Sequence, residues 1–141
     1  MRALALDLGS VRVGVAVGDD GPRLAFPREA LRRAPARDED HRRIAALVVE
    51  EAVDVVVVGL PRSLDGSLGP AARAALDEVD GLRIALPVPV EVHDERLTTV
   101  AADRALAGAG VRGRERRASI DSAAAALLLE SWFAGRAGDG T

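Results

Sequence analysis

The sequence predicts one α/β domain, a mixed β-sheet with helices on its faces. Two stretches, the apolar run Ala3–Leu6 and Val53–Val58, apolar except for Asp54, read as strands buried on both sides. The early strands are joined by short turns, which makes an antiparallel meander. The later strands are separated by helical patterns, which makes crossovers. Hydrophobic residues are 48% of the 141 and aromatics only 2%, so the core has to be built from Ala, Val, Leu and Ile.

The elements follow in order. Val11–Val17 comes after Gly9-Ser10, a gap short enough for a hairpin. Asp19-Asp20-Gly21-Pro22 is turn chemistry, and Arg23–Pro27 is the third predicted strand. Asp38–Glu51 places Ile44, Leu47 and Val48 on one helical face, with Asp38 as the expected N-cap. Val53–Val58 is the fourth strand, closed by Gly59-Leu60-Pro61, and 65–69 is a loop. Ala71–Val79 reads as a helix stopped near Gly81, and Val88–His93 as the fifth strand. Thr98–Ala107 is helical, Val111–Arg117 is a polar, Arg-rich loop, and Ile120–Phe133 is a helix capped by Ser119. The expected domain covers 1–134, with a frayed tail over 135–141.

Asp7 ends a buried strand, where a carboxylate is costly unless it meets a cation or donors. The same position suits an Asp that caps the Gly9-Ser10 turn. Glu95 lies in HDERLTT (His93–Thr99) at another strand end. If the strand continues, Asp94 and Glu95 point to opposite faces, so one of them shares a site with Asp7, and Asp94 is the fallback. A surface Glu95 paired with Arg96 is the competing reading. Asp121 falls in the first turn of the predicted last helix, where the helix dipole favours an acid in any case. Together the three carboxylates form a constellation at strand ends and a helix start. Their oxygens suit Mg²⁺ or Mn²⁺. Metals held by shared carboxylates can activate water and stabilise the leaving oxygen of a phosphodiester. His93 is expected to be packed or hydrogen-bonded, His41 to be a surface residue, and Trp132 and Phe133 to be core.

The net charge of −3 does not point to nucleic acid. All 19 basic residues are Arg, however, and they cluster: Arg28, Arg32, Arg33, Arg37, Arg42 and Arg43, then Arg112, Arg114, Arg116 and Arg117. Global acidity leaves room for a local basic patch. No run of 18 apolar residues is present, so no membrane span is expected. Without cysteine there is no disulfide and no thiolate zinc site. The N-terminal apolar run is short and broken by Asp7, unlike a secretory signal, so the cytoplasm is the expected location.

Four stretches taken together, DLGSVRVGVAVGD (Asp7–Asp19), VVGLPRSLDG (Val57–Gly66), HDERLTT and IDSAAAALLLESWF (Ile120–Phe133), resemble the YqgF family. The family is also called RuvX, and its members are named as Holliday-junction resolvases or pre-16S rRNA nucleases. The resemblance runs from Leu4 to Phe133. It implies an RNase H-like fold with a central mixed five-stranded sheet and a divalent-metal nuclease that trims the 5′ end of precursor 16S rRNA. It implies Asp7, Glu95 and Asp121 as catalytic and metal-holding residues. Expected nucleic-acid contacts are Arg12, Arg62, Arg96, Arg112, Arg114, Arg116 and Arg117. Many members carry Lys where this chain has Arg12 and Arg114 to Arg117. Charge is kept there, but Arg does not deprotonate. A monomer is expected. The alternatives are a DNA endonuclease acting on Holliday junctions and a non-catalytic RNA-binding assembly factor. DLGSVRVGVAV also resembles the phosphate loop of actin-type and sugar-kinase proteins, but clasping ATP there takes two domains, and 141 residues supply one.

Overall fold

The computed structural model describes residues 1–63, 65–95 and 113–139, with side chains from 122 to 136 in the last segment. The elements are β1 (Arg2–Leu8), β2 (Arg12–Asp19), β3 (Leu24–Arg32), α1 (Arg37–Glu50), β4 (Val55–Leu60), α2 (Pro70–Ala85), β5 (Val90–Asp94) and α3 (Gly113–Asp139). The sheet order is β3-β2-β1-β4-β5. The β1–β2 and β2–β3 pairs are antiparallel, and β1–β4 and β4–β5 are parallel. This is the mixed five-stranded sheet expected. The predicted helix over Thr98–Ala107 lies outside the described residues.

Strand alternation divides the core in two. Leu4 and Leu6 of β1, Val15 and Val17 of β2, and Val56 and Val58 of β4 pack with Ile44 and Val48 of α1 and Val79 and Leu82 of α2. Their neighbours Ala3, Ala5, Ala16, Val55 and Val57 face α3, where Ala125, Leu128, Leu129, Trp132 and Phe133 cover them. The alanines let the helix lie close to the sheet, and the large residues fill what remains. Trp132 and Phe133 are core, as expected, with ring centroids 5.5 Å apart. Full burial of a side chain such as Phe133 contributes roughly 2–3 kcal/mol. Among the described residues no helix is long and apolar enough to cross a membrane.

Several local expectations differ from the structure. β3 runs on to Arg32, because an edge strand tolerates Pro27. Helix α1 starts from Ala36 without a side-chain cap; Asp38 does not cap it, and Asp40 instead accepts the Ala34 N–H at 2.8 Å. Helix α2 passes through Gly81 to Ala85. A Cβ at Gly81 would come 3.1 Å from His41 Cε1, so this glycine makes room for α1 and does not stop the helix. Helix α3 begins at Gly113, so Ser119 is not its cap, Asp121 is not in its first turn, and Arg114, Arg116 and Arg117 lie on a helix, not in a loop. Arg, Glu and Ala between Gly113 and Ser119 are good helix formers with no breaker among them. The backbone also stays helical past Gly135, to Asp139.

Candidate active site

The same alternation selects the residues at the carboxyl end of the sheet. On β1, Ala3 and Ala5 face α3, so Asp7 follows them to that side. On β4 the sequence Val55, Val57 ends with Gly59. On β5, His93 Nε2 meets Ser131 Oγ of α3 at 2.9 Å, which puts Glu95, two residues later, on the α3 side as well. The Glu95 N–H donates to Leu60 O at 3.2 Å and continues the ladder. Asp94 has the parity of Val92, which packs against the α1–α2 core, and so points away. Register pairs Leu6 with Val58 and Gly59 with His93, so Asp7 stands level with Gly59, while Glu95 lies two residues beyond His93 and its side chain reaches back over Gly59.

Their carboxyl groups meet in a hydrogen bond. Glu95 is half-buried and its carboxyl is pushed up to about 7, first by burial, then by the Asp7 charge and hydrogen bond, then by Asp94. Gly59 makes the contact possible. A Cβ there would run into Glu95 Oε2 and lie 3.1 Å from Leu128 Cδ2. The sequence suggests turn chemistry for Gly59, yet it closes a strand and supplies space.

Asp121 enters on the same side of the sheet. Its neighbour Ser122 is buried; the Ser122 hydroxyl donates to Arg28 O at 2.6 Å and accepts from the Val15 N–H at 3.5 Å. Val15 lies next to Gly14, the register partner of Asp7. The backbone of Asp121 is thereby held near the Asp7 end of β1, and its side chain lies outside the described residues. Among the described residues no group of three acidic or His side chains makes a complete metal cage. Asp7 and Glu95 bring two carboxyl groups together, an oxygen donor set that suits a hard divalent cation.

Two of the expected arginine contacts, Arg12 and Arg62, lie at this end of the sheet. Arg12 opens β2 and is half-buried. Arg62 follows β4, is exposed, and donates from Nε to Gly66 O at 3.0 Å. Arg96 and Arg112 lie outside the described residues. Arg114, Arg116 and Arg117 are placed by backbone alone, on the turns of α3 before Asp121. His93 is hydrogen-bonded as expected, and burial lowers its pKa against the opposing Asp94 charge.

His41 is not a surface residue. It is 6% exposed, and Nε2 lies 3.0 Å from Glu78 Oε2. Glu78 also receives a bidentate pair from Arg33 at 2.7 and 2.8 Å. Arg33 reaches Asp40 at 3.2 Å and Gly9 O at 2.9 Å. Burial alone would raise the Glu78 pKa, but the Arg33 and His41 hydrogen bonds and the Arg33 charge outweigh it and leave it lowered. This network braces the turn that directly follows Asp7. The signal for it in the sequence is Glu78 itself, an acid on the stripe of Ala75, Val79 and Leu82, where a charge needs partners.

Residues 1–135 match the family model described as RuvX, Holliday junction resolvase. A protein of Mycobacterium sp. (strain KMS) named as a pre-16S rRNA nuclease is 53% identical over 135 residues, covering 94% of this chain and 79% of its own length. One of the same name from Mycolicibacterium paratuberculosis (strain ATCC BAA-968 / K-10) is 52% identical over 148 residues, covering 99% and 87%. Among solved structures, T. thermophilus RuvC in complex with Holliday junction substrate aligns over 98% of this chain and 96% of its own, with a TM-score of 0.61 at 18% identity. A second Thermus thermophilus RuvC structure gives 0.56 at 20% identity, over 98% and 97%. That likeness is one of fold, the RNase H-like mixed sheet.

Proposed function

Since the chain belongs to the RuvX family, we propose that it is a metal-dependent nuclease that hydrolyses phosphodiester bonds in the 5′-end processing of pre-16S rRNA in the cytoplasm. The observation that carries this reading is the meeting of Asp7 and Glu95 over Gly59, on the side of the sheet that α3 covers.

Asp7, Glu95 and Asp121 would hold Mg²⁺ or Mn²⁺. Such a cation supplies a water of lowered pKa and neutralises charge on the leaving oxygen. A cation held there would favour the ionised form of Glu95, because a raised carboxyl pKa falls beside positive charge. Gly59 keeps the space between Asp7 and Glu95 clear. Arg12, Arg62, Arg96, Arg112, Arg114, Arg116 and Arg117 bind phosphates on either side of the cut, which also offsets the repulsion between acidic site and substrate. The protein acts as a monomer in this reading.

A pure RNA-binding factor has no use for paired carboxylates facing phosphates, which disfavours a non-catalytic role. The test is cleavage of a pre-16S 5′ fragment, an unstructured RNA and a four-way DNA junction, with Mg²⁺ and Mn²⁺ compared. Metal-dependent cutting of the rRNA fragment is expected. Cutting of the junction alone would transfer the chain to DNA resolution, and cutting of none would overturn the nuclease reading.

A further inference from the structure

We propose that Arg12 and Arg32 form a cross-strand phosphate clamp that extends the nucleic-acid path from the carboxylates across the β2–β3 end of the sheet. The proposal rests on the nuclease reading for the identity of its ligand, a backbone phosphate. Arg32 lies in the arginine-rich stretch of β3 and α1, whose other members are largely spoken for: Arg33 binds Glu78 and Asp40, Arg37 binds Asp77, and Arg43 binds Asp40. Arg32 is exposed and makes no ion pair among the described residues.

Its placement comes from a bulge. Val15 pairs with Arg28 and Val13 with Leu31, so β3 carries one extra residue between these pairs. Without it Leu31 would stand opposite Arg12. With it, Leu31 returns to the α1–α2 core beside Val13, and Arg32 stands opposite Arg12. Bulges next to active sites commonly re-aim a side chain in this way. The next residue has the opposite parity, since Arg33 turns into the Glu78 network on the α1–α2 side. Arg32 therefore faces the α3 side, the side of Asp7. The flanking Arg33 N–H donates to Val11 O at 2.8 Å, which makes Arg12–Arg32 a non-hydrogen-bonded pair, the kind whose side chains stand closest.

Arg offers a phosphate a planar fork of donors from each side of the pair, and two guanidinium groups share its charge. The distance to the carboxylates is right for a neighbouring phosphate. Gly14 is the partner of Asp7, and Arg12 lies two residues along β2 on the same face, roughly 7 Å away.

The experiment measures binding of a labelled single-stranded RNA oligonucleotide in EDTA, across a salt series. It uses wild type, Arg32→Ala, Arg32→Gln and, as a control for net charge, Arg73→Ala on the exposed side of α2. Wild-type cleavage with Mg²⁺ is measured alongside. Both Arg32 variants should bind roughly three- to tenfold more weakly, and their log–log salt slope should be shallower by about 0.7, one single-strand phosphate. Arg73→Ala should match wild type. If the Arg32 variants match Arg73→Ala, the clamp is wrong and the nuclease reading stands on its own cleavage result. If wild type binds without cutting, the nuclease reading falls and the clamp is judged by the binding series alone. If wild type binds no RNA, both fall.

Discussion

Gly59 shows how one missing side chain creates a site. It ends a buried strand with ordinary strand geometry, and its value is the space that Glu95 occupies. Gly59→Ala should push the Glu95 carboxyl off Asp7, lowering cleavage more than tenfold, while overpacking costs roughly 1–3 kcal/mol of stability. Cleavage rates and urea unfolding on one preparation check both. Asp7→Asn keeps shape and loses the charge that would hold a cation. Cleavage should fall by about 10³-fold, the equivalent of ~4 kcal/mol. Without metal the variant should melt no lower than wild type, since like-charge repulsion is relieved, and Mg²⁺ should no longer raise its melting temperature. Cleavage at the wild-type rate would reduce Asp7 to a turn residue. Glu95 has a pH signature. Its carboxyl is raised from 4.5 to about 7 in the folded protein. Between those values the folded chain retains a proton that the unfolded chain has released, so metal-free stability falls as pH rises through the window. In EDTA, urea midpoints of wild type and Glu95→Gln should diverge in slope there, with the variant flatter.

Between elements, the Arg33–Glu78–His41–Asp40 network ties the end of β3 to α1, α2 and the turn after β1. Removing one member leaves a buried charge without its partner, which is costlier than never having placed the pair. Glu78→Gln should therefore cost about 3 kcal/mol, read as a lowered urea midpoint at neutral pH. The lowered Glu78 pKa makes its contribution present above the ordinary carboxyl value of 4.5 and lost as pH falls through the lower folded value. The stability gap between Glu78→Gln and wild type should accordingly close in acid. A gap that persists unchanged would mean that packing, not charge, is what Glu78 supplies. On the opposite face, Ser122 bridges β2 and β3 through Val15 and Arg28, and His93–Ser131 ties α3 to β5. These two contacts fix the helix that carries Asp121 against the strands that carry Asp7 and Glu95.

For the chain taken entire, the electrostatic problem is that a net charge of −3 must meet a polyanion. The proposed solution is local: arginines at the end of the sheet that carries the carboxylates. Arg114, Arg116 and Arg117 sit on α3 in the turns before Asp121, and in the proposed function they bind phosphates on the approach to the site. Replacing these three and Arg112 with Ala should weaken RNA binding. It should also flatten the salt dependence by about 0.7 for every phosphate that is no longer neutralised. A slope identical to wild type would leave the four as solvated surface.

Periodicity and turn chemistry in the sequence are enough for the strand order along the chain, the two-faced core and the mixed sheet, because those signals come from residues within a few positions of one another. Asp7, Glu95 and Asp121 can be singled out from strand ends, a helix and the resemblance. Whether Asp94 or Glu95 turns toward Asp7 needs the contact of His93 with Ser131, which lies beyond a crossover. The roles of Gly59, Gly81 and His41 are invisible in the sequence for the same reason: each is defined by a neighbour 36 to 40 positions away, or by a helix packed from another part of the chain. Ser119 is locally as good a cap as it is a helix interior residue, so only the register of the helix on the sheet decides where α3 starts. Local patterns record which face a residue prefers, but the energy of a buried charge or a missing Cβ depends on what the fold brings opposite it.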